Sequence, residues 1–496
     1  MEKFVYWLGF LTYCFLVIFI GWRGYRRLQH VDDADMDFWA AGKSLSSGAV
    51  GLSISASFMS ISWSCVYTVQ LFYWYGLSAL WLVPIPWLLT MAGFYFLAPH
   101  FRRLHAFSQP EMVARRFGPE NRKLIAVPVA FVFLVWAGAE IYAAARVLAP
   151  ILDTPFIVAL AIVAGVVSVY SYLGGFSAVV TTDRVQFALV AFFILAITGL
   201  ALKGVFSQYT FSEAAAQLVP PPKNLEADAL SLWAVSPALI FMTLVAYLPG
   251  WLVETDIWLR IQAARDLTAA RRGVMIAAIN SLIFLAVLPA VIALSSYVLY
   301  PPLHGVIPSA LEDGAAIFAV LMQDHAPVAL NIVLTIGLAA AAMSTIDTCA
   351  NVVALSLSYD ILEPWLRRRQ ASLSPQVFAR WMSAAAVLLA FVYALFTESL
   401  WDIFYLSSGI LTTTVFLPVA AVFLQDASAA QVKSAAGTGF LATFFFYALE
   451  RQGISPLWEP AWLSATGLGY ILWAFIAGGV AFVLAGWFTP KRSASA

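Results

Sequence analysis

Residues 48–64 read Gly48-Ala49-Val50-Gly51-Leu52-Ser53-Ile54-Ser55-Ala56-Ser57-Phe58-Met59-Ser60-Ile61-Ser62-Trp63-Ser64. The stretch is apolar enough to enter a bilayer, yet six serines between Ser53 and Ser64 suit a lipid-facing helix poorly. Serine hydroxyls can satisfy backbone groups where a helix unwinds, and unwinding at membrane depth survives only when buried in protein or beside a cavity. A second unusual stretch, Tyr247-Leu248-Pro249-Gly250-Trp251, lies five spans later. Proline removes a backbone donor and glycine loosens the turn, so a break is expected there as well. Interrupted helices at corresponding positions of two halves point to the binding site of a secondary transporter. The competing reading of the serines is that small residues simply let helices pack closely.

Working outward, the composition fits a chain that lives in lipid. Of 496 residues 62% are hydrophobic and 11% charged, where a soluble protein carries about 25% charged residues. Basic and acidic residues number 27 each, which gives no electrostatic footprint for nucleic acid. Cys14, Cys65 and Cys349 all lie in apolar segments and read as packing residues. A span needs roughly 20 apolar residues, and thirteen are read: 4–22, 47–73, 75–98, 124–150, 155–173, 174–202, 233–256, 273–299, 327–359, 379–397, 400–425, 433–450 and 464–488. The first follows Glu2 and Lys3 directly and has no small-residue cleavage site after it, so it is expected to be retained.

Lys and Arg accumulate on the cytoplasmic side of membrane proteins. With the N-terminus outside, alternate loops and the C-terminus collect 21 of the 27 basic residues, among them Arg102, Arg115, Arg260, Arg271 and Arg367. The opposite side holds five: Lys3, Arg146, Lys203, Lys223 and Arg451. This bias predicts an odd span count, N-terminus outside and C-terminus inside. The expected architecture is an all-α membrane protein of about 13 transmembrane helices. It forms one transmembrane domain over 1–496, with core repeats at about 47–202 and 233–425 and extra helices at 4–22, 433–450 and 464–488. Because five is odd, the two five-helix halves run in inverted orientation.

Ionisable groups at membrane depth are functional candidates by default, and three stand out: Glu140, Asp183 and Asp347. Asp183 either serves such a role or pairs with Arg184 or a loop cation at the cytoplasmic mouth. Around Asp347, the residues Ala341, Ser344, Thr345 and Thr348 share a helix face by the i, i+3, i+4 rule. Neutral oxygens beside one carboxylate suit a hard monovalent cation rather than zinc, which favours His or Cys; the alternative is that the hydroxyls bond back to their own helix. Glu140 is open to three readings: contact with solute, titration, or an ion pair with Arg146. Glu140, Glu254 and nearby aromatics favour a cationic or zwitterionic solute, with an amino acid or organic acid ahead of a sugar; the alternative for Glu254 is a place at the cytoplasmic exit. The five histidines lie in loops without metal-ligand spacing, and neither a phosphate-binding glycine loop nor a nucleophile elbow occurs, so an enzyme is not expected.

In collinear order from about residue 5 to 425, the chain resembles the sodium:solute symporter family. The pieces are Asp37-Phe38-Trp39-Ala40-Ala41-Gly42-Lys43-Ser44-Leu45, Gln109-Pro110-Glu111 with Arg115-Arg116-Phe117-Gly118, Gly174-Gly175-Phe176-Ser177-Ala178-Val179 leading to Thr182-Asp183 and Gln186, Trp251, Arg260 with Ala263-Ala264-Arg265, and Met343-Ser344-Thr345. The resemblance implies the LeuT-type inverted-repeat fold, alternating access in the cell (inner) membrane, and a sodium ion as coupling ion. It implies a sodium site from the carbonyls of Ala56, Met59 and Ala341 and the hydroxyls of Ser344 and Thr345. A second cation site in some members corresponds here to Asp183, Ser344, Asp347 and Thr348. Substrate contacts are expected from Ser57, Phe58, Ser60, Tyr67, Glu140, Trp251 and Tyr405. Phe58 departs from members that place Asp or Asn there, and Leu259-Arg260 departs from the common Gln-Arg pair. The expected partners are a small-molecule solute and the lipid bilayer, with no nucleic acid and no soluble partner. Proton coupling on the same fold and a transporter-like solute sensor are the alternatives.

Overall fold

Lipid offers the backbone no hydrogen bonds, so each crossing segment must close its own ladder, and the chain is helical almost throughout. The structure is a computed structural model that describes residues 2–28, 43–104, 106, 108–173, 176–368, 375–397 and 399–488. The motif residues 37–42 and 174–175, together with His30, His105, Arg369, Lys491 and Arg492, lie outside the described residues.

In chain order the helices are α1 (Glu2–Leu28), α2 (Ser47–Phe58), α3 (Ile61–Trp81), α4 (Pro84–Arg103), α5 (Gln109–Phe117), α6 (Asn121–Leu152), α7 (Phe156–Leu173), α8 (Phe176–Phe206), α9 (Pro237–Trp251), α10 (Thr255–Ala263), α11 (Leu267–Leu299), α12 (Ile317–His325), α13 (Val328–Leu366), α14 (Pro375–Ala394), α15 (Leu400–Ala421), α16 (Ala429–Arg451) and α17 (Gly469–Phe488). Among the described residues ten helices are long and apolar enough to cross a membrane, or twelve if each of two bent pairs is one span. The expected thirteenth corresponds to α4, whose 20 residues include Pro84, Pro86, Trp87, Tyr95 and Pro99 and whose hydropathy is diluted accordingly.

The bent pairs are α2–α3, at 61°, and α9–α10, at 41°. The first break falls inside the serine run, at Met59 and Ser60. The second lies beyond its expected place: α9 continues through Pro249 and Gly250 to Trp251, and the chain turns at Leu252–Glu254. The two broken spans run antiparallel. Leu45, just before α2, exchanges backbone bonds with Ala263 (3.1 Å) and Arg265 (2.9 Å) at the end of α10. At the other end, the last turns of α3 meet the segment leading to α9, with the Leu77 amide on the Ala229 carbonyl (2.8 Å).

Burial sorts inner from outer helices. In α15 and α6, 78% and 72% of the apolar window is buried; in α17, α1 and α16 only 17%, 28% and 28% is. The outer helices present Phe15, Phe19, Leu441, Phe445, Val480 and Trp487 to the surroundings, as a lipid-facing surface requires. Glycine lets the inner helices approach closely. A Cβ on Gly51 of α2 would lie 2.7 Å from the Ile276 side chain of α11 and 2.9 Å from the Gly273 carbonyl.

Candidate functional site

The last four carbonyls of any helix lack a partner in their own ladder, and where α2 stops these belong to Ala56, Ser57, Phe58 and Met59. Met59 closes the helix with its amide on the Ser55 carbonyl (2.9 Å), and Ser60 then turns extended. Across from the break, α13 presents Ser344 and Thr345. The Ser344 hydroxyl donates to the carbonyls of Ala56 (3.0 Å) and Ala341 (3.1 Å). The Thr345 hydroxyl donates to the Ser57 carbonyl (3.0 Å) and lies 3.5 Å from that of Ala341. Five oxygens thus converge from two helices. Four of the five residues expected in the sodium set, Ala56, Ala341, Ser344 and Thr345, are in this cluster. Met59 caps the same break, and the Ser57 carbonyl is an addition the sequence did not single out.

The half-helix beyond the break has its own cap. The Ser60 hydroxyl accepts from the Trp63 amide (2.9 Å), and the Glu140 carboxylate accepts from the Ser62 amide (3.2 Å) and the Ser62 hydroxyl. A carboxylate at a helix N-terminus is favoured by its free amides and its dipole. Glu140 therefore does not pair with Arg146, whose partners are Tyr142 (3.1 Å) and Glu312 (2.9 Å).

The second break is held by side chains from elsewhere. The Thr412 hydroxyl of α15 donates to the Ala246 carbonyl (2.7 Å) and accepts from the Gly250 amide (2.9 Å). It bridges residues 246 and 250 within α9, just before the chain turns at Leu252–Glu254. Gly250 allows this approach, since a Cβ there would lie 2.8 Å from both the Ser408 carbonyl and the Thr412 hydroxyl. Gln109 completes the support: its amide donates to the Val253 carbonyl (2.7 Å) and its carbonyl accepts from the Thr255 hydroxyl (2.6 Å). Replacing Thr412 by valine is expected to lower the thermal midpoint, because a buried amide and carbonyl lose their partner at about 1–3 kcal/mol. Serine at that position retains the hydroxyl and is expected to remain near wild type in the same melt.

Between the breaks lies a cavity lined by Ser57, Phe58, Ser60, Ser62, Trp63, Trp87, Trp136, Glu140, Trp251, Glu254, Thr345, Phe404 and Ser408. Of the expected substrate contacts, Ser57, Phe58, Ser60, Glu140 and Trp251 line it. Tyr67 and Tyr405 stand behind the wall in an aromatic stack, with Tyr247 and Tyr405 rings 4.7 Å apart and Trp63 and Tyr67 rings 5.4 Å apart. Trp136, one helical turn before Glu140, could have been found from that i, i+4 spacing; Trp87 and Phe404 carry no local signal.

The remaining expected cation residues surround Arg260, which is 1% exposed. Its guanidinium donates to Asp183 (3.3 Å), Thr348 (3.1 Å), Asp256 (3.3 Å) and the Ser53 hydroxyl (2.7 Å), and Ser53 in turn donates to Asp183. Ser57 also donates to Asp256 (3.0 Å). Asp183 thus pairs with Arg260 and not with Arg184 at the membrane surface. Asp347 is buried one residue from Thr348, and Ser344 belongs to the five-oxygen cluster.

The profile of the sodium:solute symporter family matches residues 38–430. The chain belongs to that family. Sodium-coupled solute symport is therefore its activity, and sodium its coupling ion. The high-affinity proline transporter PutP of Bacillus subtilis is 24% identical over 388 residues, covering 76% of this chain and 78% of that protein. The sodium/glucose cotransporter of Vibrio parahaemolyticus is 27% identical over 387 residues, covering 72% and 68%. Among solved structures, a Na+-coupled sialic acid symporter in a substrate-bound outward-open state superposes with a TM-score of 0.73 at 17% identity, over 99% of this chain and all of that one. The fold is thus shared with LeuT-type transporters.

Proposed function

We propose that this multi-pass membrane protein carries a small polar organic solute inward with sodium, by alternating access, and that sodium is held where the α2–α3 break faces α13. The supporting observation is the convergence of the Ala56, Ser57 and Ala341 carbonyls with the Ser344 and Thr345 hydroxyls. Such a neutral oxygen set suits a hard cation, and unwound carbonyls are a recurrent device for coordinating sodium in transporters of this kind. When sodium binds, the two hydroxyls turn their lone pairs towards it and the carbonyls accept it in place of hydroxyl protons.

Coupling follows from shared residues. Ser57 and Thr345 belong to the oxygen cluster and also line the solute cavity. An ion that fixes their positions pre-forms one wall of the solute site, so ion and solute stabilise the same conformation and each raises the affinity for the other. A second sodium at Asp183, Ser344, Asp347 and Thr348 is not part of this reading, because the Arg260 guanidinium already bonds Asp183 and Thr348. With the basic loops taken as cytoplasmic, the Arg260 network closes the inner side and the Trp63–Tyr67–Phe404 aromatics close the outer side. The test is uptake into proteoliposomes: an inward sodium gradient is expected to drive solute accumulation, while an equal potassium gradient is not. Accumulation driven equally by a proton gradient in sodium-free buffer would overturn it.

A further inference from the structure

The walls of the cavity are aromatic and meet at steep angles. Trp63 and Trp251 lie 5.4 Å apart at 84°, Trp87 and Trp251 5.1 Å apart at 75°, Trp63 and Phe404 4.6 Å apart at 77°, and Phe58 and Trp87 5.5 Å apart at 62°. Rings so arranged present π-faces and edges around a small space, as the cages that recognise substituted ammonium groups do. Phe58 is one of these walls.

The ionisable lining is of one sign. Glu140 and Glu254 line the cavity, and neither lysine, arginine nor histidine does. The nearest buried cation in the adjoining network, Arg260, is engaged by Asp183 and Asp256. The two lining acids are not equivalent. Glu140 is engaged as the cap of α3. Glu254 stands at the second break, 6% exposed, with its carboxyl beside that of Asp256 and its Oε2 without a donor partner among the described residues. Two further lining groups are in the same state: the indole N–H groups of Trp63 and Trp87, on residues 8% and 5% exposed. Trp136 and Trp251, by contrast, have indole partners in Ser407 (2.7 Å) and Ser408 (3.2 Å). Buried polar atoms are almost always satisfied, and these three groups, all on residues that line the cavity, match a solute that carries both a donor and an acceptor.

We propose that the cavity takes a small solute anchored by a cationic nitrogen, held against Glu254 within the tryptophan box, with an oxygen acceptor for the indole N–H groups of Trp63 and Trp87. The class is that of substituted-ammonium compounds and amino-acid-like zwitterions; it excludes sugars and organic acids without a cationic nitrogen. This deepens the symporter reading and rests on it. The organic acid placed beside the amino acid by the sequence is excluded because the ionisable lining among the described residues is carboxylic, which repels a net anion but not a zwitterion.

The experiment is thermal stabilisation of the purified full chain in saturating sodium, with choline, glycine betaine, proline, glucose and lactate as probes. At least one of the first three is expected to raise the midpoint, while glucose and lactate leave it unchanged. Glu254→Gln is expected to weaken binding of the active compound at least tenfold while keeping the midpoint shift given by sodium alone, which also reports that the variant is folded. Trp87→Leu is expected to weaken it through the box and not through charge. Stabilisation by glucose or lactate, unchanged affinity in Glu254→Gln, or no response to any of the five while sodium stabilises would overturn the proposal. Loss of the sodium shift in the wild-type chain would instead overturn the symporter site itself.

Discussion

Replacing Arg260 by alanine is expected to destabilise the protein more than any other single change in the core. The guanidinium is 1% exposed and bonds four helices at once: Ser53 of α2, Asp183 of α8, Asp256 of α10 and Thr348 of α13. Removing one partner of a buried pair leaves the other charge uncompensated, at about 3–5 kcal/mol, and here two carboxylates lose the same cation. Lysine restores the charge but not the planar fork that reaches several acceptors together, so Arg260→Lys is expected to recover only part of the loss. The decisive measurement is a double-mutant cycle by thermal melting. Combining Arg260→Leu with Asp183→Asn is expected to cost less than the sum of the single changes, because the second removes the orphan charge created by the first. Additive costs would show that the pair is not coupled. Transport should fall with the first variant even where folding is rescued, since the network joins both broken spans and must open and close in each cycle.

Much of this arrangement was legible in the sequence, for reasons that differ from part to part. The helices could be read because lipid enforces apolar runs of a set length, and only the proline-rich, less apolar α4 stands outside the count. The first break could be read because its cause is local: Ser60 caps the next half-helix and Ser57 faces Asp256, both within the serine run. The second break was displaced because its cause is not local. Pro249 and Gly250 weaken the ladder, but Thr412 bonds both Ala246 and Gly250 and carries α9 past them, and Gln109 holds the turn at Val253 and Thr255. No pattern around residue 250 announces a hydroxyl 162 positions away. The cavity wall divides in the same way. Trp136 shares a helix face with Glu140, whereas Trp87 and Phe404 are brought to the site by packing alone. Glu140 had three readings because its sequence neighbour Arg146 was visible and its spatial neighbour Ser62 was not. Asp183 and Arg260 were both singled out; their 3.3 Å pairing is a product of tertiary structure.

The proposed sodium site, whose residues the family resemblance implied, makes the second large prediction. A ligand that binds only the folded state stabilises it by about 2.7 kcal/mol at a hundred times its dissociation constant, so sodium at that excess should raise the melting midpoint of the wild-type chain. In Ser344→Ala and Thr345→Val this increment is expected to vanish. Their sodium-free stabilities are expected to fall by about 1–3 kcal/mol, because the Ala56 or Ser57 carbonyl loses its buried partner, as at Thr412. The two effects are separable: a structural role lowers both curves in parallel, whereas a ligand role collapses the gap between them. Potassium at equal ionic strength controls for general salt effects, which act on surface charges and not on a cluster as buried as Ser344 and Ala56. Thr345→Ser keeps the oxygen and should keep the gap. Since Thr345 also lines the solute cavity, Thr345→Val should weaken solute binding even when sodium is saturating, while Ser344→Ala, which does not line it, should weaken solute binding only through the lost ion. A full sodium increment in both variants would place the ion elsewhere in the protein, and equal solute defects in both would remove the direct link between ion and cavity on which coupling here depends.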